Sequence, residues 1–428
     1  MHHFKVVVVG GGFGGLAIAK KLASTKIDVC LIDKKNHHLF QPLLYQVATA
    51  ALSPADIAIP LREIVSDYDN ITVTMGEVID VDKVKKRVVL GNGDEIEFEK
   101  LVLATGARHS YFGNDHWEQF APGLKTINDA IKIREKILLS FEKAERLDSY
   151  KESSKYLNFV IIGGGPTGVE MAGSIAEIAY KTMFKNFRKI NPQKSRIYLI
   201  EGFDRILPPF PPSLSKRAKK DLEKLGVTVM VDKLVTNVTD EGVEIGSQFI
   251  PSKNVIWAAG NQASPILKVL DTELTRAGTA IVNKDLSIPN YPDIFVIGDA
   301  ACFKKEDGKP LPGIAPVAIQ QGRYLAKLIK KGAPIENRKP FKYFDKGSLA
   351  TIGKAKAVGF VGKIKCSGFF AWLGWLALHV LYLTGFRNRI SVGLQWFFHY
   401  FAGIRGARLI YHSVDDDLPK SKEDVPEN

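Results

Sequence analysis

The sequence predicts an α/β protein in which one kind of βαβ unit is written twice, followed by a C-terminal region of amphipathic helices. Three observations predict it. The β-branched run Lys5 to Val9 leads through the glycines of Gly10 to Gly15 into the helical pattern Leu16 to Leu22, and the next strand, Val29 to Ile32, ends on Asp33. The same order returns 153 residues later, with Phe159 to Ile162, glycines from Gly163 to Gly168, a helix from Val169, and a strand Ile197 to Ile200 ending on Glu201. Continuous apolar runs of this length suit strands buried on both faces, and a repeated unit argues for internal duplication. Beyond residue 346 the composition changes: from Lys346 to Val414 there are nine Lys or Arg and no Asp or Glu, and Phe369 to Phe386 is 18 residues without a charged side chain.

The remaining elements fall in order between these landmarks. Ile71 to Phe98 reads as β-rich, with a turn at Gly91-Asn92-Gly93, then a strand Leu101 to Ala104 and a helix Ile127 to Leu147. A helix extension over Lys181 to Lys194 is expected to lengthen the second unit, and strands at Val227 to Val231, Val255 to Trp257 and Ile294 to Ile297 follow it. A length of 428 residues allows about three domains. A content of 45% hydrophobic and 25% charged residues excludes collagen-like and disordered chains.

The net charge of +13 is concentrated in the C-terminal stretch, where cations are interleaved with Trp372, Trp375, Trp396 and Tyr400. That mixture suits an anionic lipid surface and not a nucleic acid, with the aromatic rings at the headgroup boundary and Lys354, Arg389, Arg405 and their neighbours paired with lipid. The 18-residue run reaches about 27 Å as a helix, marginal for crossing a bilayer of roughly 30 Å. The segment Phe369 to Ile404 is therefore expected to lie in one leaflet, with a single spanning helix as the alternative. Cys30, Cys302 and Cys366 form no CxxC pair, which excludes a disulfide scaffold, a zinc finger and a dithiol redox centre and points to a reducing compartment. No metal-ligand spacing occurs, the His37-His38 pair reads as structural, and no cleavable leader is expected ahead of the first strand.

Gly10-x-Gly12-x-x-Gly15 after a strand and before a helix, with Asp33 closing the next strand, meets the contextual conditions for a Rossmann-like dinucleotide site. Gly10 permits the tight turn, Gly12 lets backbone approach a pyrophosphate, Gly15 allows close helix packing, and Asp33 accepts from a ribose. Gly163, Gly165 and Gly168 repeat the pattern, and Glu201, 33 residues after Gly168, is the matching acid. A carboxylate there favours NADH by repelling the 2′-phosphate of NADPH. Two such sites in one chain suggest a flavin and a nicotinamide, the minimum for moving hydride onto a held acceptor.

Leu101 to Gly106, with Thr105 and Gly106, and Ile294 to Asp299 resemble two further marks of the two-dinucleotide-domain flavoprotein disulfide reductase superfamily. That resemblance implies tightly bound, non-covalent FAD in the first site, NADH in the second, and Asp299 on the flavin's ribityl chain. The bland reading of Asp299 is an acid capping a helix that begins at Ala300. Without paired cysteines, the chain is most similar to the type II NADH dehydrogenases, monotopic NADH:quinone oxidoreductases. The similarity runs from Lys5 to about Tyr411 and rests on His38 to Ala48, Gly163 to Glu170 and Ala315 to Gln320. The last segment resembles the family's quinone motif with Pro316 in place of its first Gln.

The resemblance implies oxidation of NADH with two-electron reduction of a membrane quinone and no proton pumping. It makes Glu170 a proton donor, Gln320 a quinone ligand and Lys346 a neighbour of the headgroup. Plainer readings are an acid that complements the helix dipole for Glu170 and two polar residues on a helix surface for Gln320 and Gln321. It also implies residues 1–115 and 259–335 as the FAD domain, 116–258 as the NADH domain, and 336–428 as the quinone-site and membrane region. The expected setting is the cytoplasmic face of a bacterial inner membrane, with a homodimer left open. The rivals are a soluble NAD(P)H-dependent ferredoxin or rubredoxin reductase and an NADH-responsive signalling flavoprotein.

Overall fold

The computed structural model describes residues 2–402 and 405–410. Ile404 and Tyr411, which end two of the segments above, lie outside the described residues. The chain divides into two compact units.

The first unit comprises Met1–Leu39, Ala58–Ser110 and Asn261–Lys346. Its sheet places Tyr291–Val296, Glu95–Leu103, His2–Val9, Val29–Asp33 and Ile71–Met75 side by side in parallel. The valine run at the start of the chain is apolar throughout because both faces are covered. Val6 and Val8 enter one core with Ile18, Leu22, Phe295 and Leu325, whereas Val7 and Val9 enter the other with Leu101, Leu267 and Ile294. Helix Phe13–Leu22 packs on helix Ala315–Lys331 at a glycine contact, where a Cβ on Gly322 would sit 2.4 Å from the Gly14 carbonyl oxygen. Pro316, in the first turn of the second helix, occupies a position whose N–H has no helical partner to lose.

The second unit comprises Phe40–Ile57, Tyr111–Gly260 and Gly347–Asn428. Its parallel sheet runs Val227–Met230, Arg196–Ile200, Asn158–Ile162, Asn254–Trp257. Helix Ile127–Arg146 starts at a capping box, with Thr126 accepting from the Asp129 N–H and Asp129 accepting from the Thr126 N–H. The helix extension expected over Lys181 to Lys194 is absent. A π-turn Ile178–Thr182 ends helix Pro166–Glu177, and the rest of that stretch holds just the 3₁₀ turn Pro192–Lys194. The Glu145 carboxylate secures the loop between them by accepting from the N–H groups of Arg188, Lys189 and Ile190.

The end of the described chain is a three-stranded antiparallel sheet followed by helices Phe369–Tyr382 and Phe386–Ala402, of 14 and 17 residues. At 1.5 Å per residue these are about 21 Å and about 26 Å long. Among the described residues no helix is long and apolar enough to cross a membrane. Asp56 receives Ser391 Oγ and Gln395 Nε2 at 2.9 and 2.8 Å, which ties the second helix to the segment after Phe40.

Two expectations for this region are corrected. The Trp residues assigned to a headgroup boundary point inward instead: Trp372, Trp375 and Trp396 are 6%, 0% and 4% exposed. Large rings with one N–H gain more from packing on protein. The exposed apolar side chains of these helices include Phe370, Leu381, Phe386, Ile390 and Phe398. Arg405, expected on lipid, is buried and pairs with Glu177 at 3.1 Å.

Candidate functional site

The two glycine turns share one construction. Gly10 and Gly163 have φ of +107° and +109°, which a side chain rarely adopts. A Cβ on Gly15 would lie 1.9 Å from the Gly10 carbonyl oxygen, and one on Gly168 would lie 1.8 Å from that of Gly163. These glycines are demanded by the fold itself. Gly12 and Gly165 differ: both have φ near −70°, both precede a helix whose N-terminus has no side-chain cap, and an added Cβ would meet nothing within 4 Å. The space beside them is open, and the first N–H groups of each helix are available to an anion.

The two acids serve the same turn in each unit. Asp33 accepts from the Gly11 N–H at 2.6 Å and the Lys35 N–H at 2.7 Å. Glu201 accepts from the Gly164 N–H at 2.6 Å and the Phe203 N–H at 2.9 Å. Each carboxylate therefore holds the middle glycine of its turn first, and retains lone pairs toward a ribose. In the first unit, Thr105 lies beside Gly10, and its buried Oγ1 has no hydrogen-bond partner among the described residues. Gly106 follows with φ +66°. His38 supports the same turn structurally, with Nδ1 2.9 Å from the Gly11 carbonyl oxygen. A buried hydroxyl awaiting a partner, an uncapped helix end and an open glycine fit an FAD pyrophosphate and its neighbouring ribose.

Asp299 lies on the single turn Gly298–Ala300, which passes directly into strand Ala301–Cys302. No helix begins at Ala300, so the helix-cap reading of Asp299 fails. Its carboxyl faces Gly313, where an added Cβ would come within 3.2 Å of the acid. Cys302 is buried.

Gln320 and Gln321 are not two equivalent surface amides. Gln321 is 1% exposed and accepts from the Gly298 N–H at 2.7 Å. Gln320 clamps the backbone of Phe344 from both sides, donating to its carbonyl at 2.9 Å and accepting from its N–H at 3.0 Å. The structure thus brings Gln320 to the stretch carrying Lys346, and the carboxamide is committed to that stretch.

Glu170 is the fifth residue of helix Pro166–Glu177, past the first turn, so the helix-dipole reading does not describe it. It is 9% exposed, and burial pushes its pKa up to about 8. The Thr351 N–H at 3.4 Å and the nearby Trp375 indole offset only part of that. Trp375 in turn stacks on His379 at 4.0 Å, and burial pulls the His379 pKa down to about 4, so that imidazole is uncharged near neutrality. Tyr45 completes the enclosure, its ring 6.5 Å from that of Trp375. The sequence reading missed this neighbourhood, because Tyr45, Thr351 and Trp375 share no local spacing with Glu170. The only signal was the apolar content of the last helices.

This pair of open glycine cradles, each with its acid, defines a two-dinucleotide protein. A sequence profile of the pyridine nucleotide-disulphide oxidoreductases matches residues 4–322, and the chain belongs to that family. Similarity to curated proteins narrows this. The type II NADH:quinone oxidoreductase of Mycobacterium tuberculosis is 43% identical over 417 residues, covering 94% of this chain and 89% of the relative. That of Haemophilus influenzae is 28% identical over 431 residues, covering 91% and 95%. Within the family the chain is a type II NADH:quinone oxidoreductase. Its fold is shared with NDH2 from Plasmodium falciparum, solved in complex with NADH, at a TM-score of 0.86 and 21% identity, covering 94% of this chain and 99% of that one.

Proposed function

We propose that this chain binds FAD, oxidises NADH and reduces a membrane quinone to quinol by two electrons. The observation that carries the reading is the second copy of the cradle, since a one-nucleotide enzyme needs only one. Bound there, FAD would supply the hydride-accepting and two-electron-donating chemistry that joins NADH oxidation to quinone reduction. Gly10, Gly12, Gly15, Asp33, Thr105, Gly106 and Asp299 hold it, within residues 1–115 and 259–335. Gly163, Gly165, Gly168 and Glu201 hold NADH, within residues 116–258.

Glu170 stores a proton for the quinol in a dry surrounding, because burial keeps its carboxyl neutral at physiological pH. Gln320 shapes the segment that presents Lys346 to the quinone headgroup. Residues 336–428 supply the membrane-facing part: the exposed Phe370, Leu381 and Phe386 enter the headgroup layer of one leaflet, and exposed cations such as Arg387 meet anionic lipid, on the cytoplasmic face of a bacterial inner membrane.

The test is steady-state turnover of flavin-loaded enzyme with NADH and decylubiquinone. A signalling flavoprotein reduces its flavin and fails to cycle, whereas an NADH:quinone oxidoreductase turns over. Nucleotide choice is checked in the same assay. The Glu201 carboxylate should favour NADH over NADPH by at least tenfold in kcat/KM, about 1.4 kcal/mol, and equal kinetics would remove that role. Gln320→Ala should release the Phe344 backbone, slow flavin reoxidation by quinone, and leave flavin reduction by NADH nearly intact. A stopped-flow result with the NADH half slowed and the quinone half untouched contradicts the assignment.

A further inference from the structure

Beside Glu170, a chain of three buried side chains has its hydrogen-bond direction dictated at one end. Trp396, Gln46 and Tyr45 are each 4% exposed. The Trp396 indole N–H donates to Gln46 Oε1 at 2.7 Å, and Gln46 Nε2 donates to the Tyr45 hydroxyl at 3.0 Å. An indole nitrogen can only donate, so the oxygen of the Gln46 carboxamide must face Trp396 and its NH₂ must face Tyr45. Tyr45 therefore receives a hydrogen bond, and its own O–H must look elsewhere. Among the described residues that O–H donates no hydrogen bond to the protein.

A buried donor with nothing to donate to is rare and calls for a ligand acceptor. Burial, with the Glu170 carboxyl next among the causes, holds the phenol well above its ordinary pKa, so Tyr45 keeps its proton and does not act as an acid. The acceptor that suits it is a neutral carbonyl oxygen close to a group able to deliver a proton.

We propose that the Tyr45 hydroxyl donates a hydrogen bond to a carbonyl of the quinone, with Gln46 and Trp396 as positioning residues that aim it. This rests on the quinone-reductase reading above and adds a substrate-orienting residue to it. The division of labour is then set by chemistry: Tyr45 polarises the carbonyl without losing its proton, and Glu170 supplies one. The stoichiometry is that of the overall reaction, NADH, a proton and quinone giving NAD⁺ and quinol. The device also links the site to the membrane-facing part of the chain, because Trp396 belongs to helix Phe386–Ala402.

Tyr45→Phe removes one oxygen and keeps the ring, so packing survives. With decylubiquinone its kcat/KM should fall at least tenfold, mostly through KM. Ferricyanide, which has no carbonyl to orient, serves as the internal reference and should show no comparable fall. Trp396→Phe frees the Gln46 carboxamide to turn over and should cause a smaller loss. Added to Tyr45→Phe it should cause no further loss of quinone kcat/KM, since both act through one hydroxyl. A Tyr45→Phe enzyme within twofold of wild type on decylubiquinone, or one that loses ferricyanide activity equally, overturns the assignment of Tyr45 alone. Wild-type enzyme that reduces its flavin with NADH but never turns over with decylubiquinone overturns the function and this proposal together.

Discussion

Glu170→Gln is expected to lower the quinone half-reaction on the order of a hundredfold, the contribution of a positioned general acid, while making the protein more stable in mild alkali. The stability change follows from the raised pKa. The ordinary carboxyl value is 4.5 and the folded value is about 8. Between those pH values the native state binds a proton that the unfolded state has released, so stability falls as pH rises through that window and is flat above it. The full cost of an ionised Glu170 has a ceiling of roughly 5 kcal/mol. Glutamine is neutral throughout and escapes it. Melting temperatures should therefore show the variant ahead of wild type at pH 8.5, with the gap closing toward pH 5. The opposite ordering would mean that the carboxylate is stabilised in place. Activity should carry the same signature. Quinone reduction by wild type should decline as pH passes about 8, when the acid is lost, and the variant should lack that inflection.

The second large effect separates two glycines three residues apart. Gly12→Val is expected to yield a folded, colourless protein. Its backbone is in an ordinary region, and an added Cβ meets nothing within 4 Å, so the side chain occupies only the open space proposed above for the pyrophosphate. The glycine motif alone implies that flavin and fold are lost together, and gives no basis for separating them. The open surroundings of Gly12 provide it. Gly15→Val is expected to fail in folding, because its Cβ would lie 1.9 Å from the Gly10 carbonyl oxygen. Soluble expression, far-ultraviolet circular dichroism and the flavin absorbance of the two purified variants test the contrast. A yellow Gly12→Val protein would show that the cradle holds something else.

Much of the fold was legible because its signals are local. Val6 to Val9 could only be a strand covered on both faces, and the Gly10 and Gly163 turns announced themselves by glycines where φ is positive. Legibility stopped where a residue's partner lies far along the chain. The Lys181 to Lys194 stretch has helix-compatible composition, yet Glu145 holds its backbone in a loop. Arg405 looked like a lipid-facing cation until Glu177 was found beside it, 228 residues earlier.

By itself the sequence determined the duplicated dinucleotide architecture, the acids Asp33 and Glu201, the lack of a paired-cysteine motif, and the basic, apolar C-terminal region. Each depends on spacing within a few tens of residues or on composition alone. Only the tertiary structure decided that Gln320 grips Phe344, that the indoles of the last helices face inward, and that Glu170 is a neutral acid near physiological pH. Thr351 lies 181 residues from Glu170, and Trp396 lies 350 residues from Gln46. A charge state set by desolvation, or a hydrogen-bond direction set by a distant indole, depends on what packs around a group, and no local window of sequence contains that information.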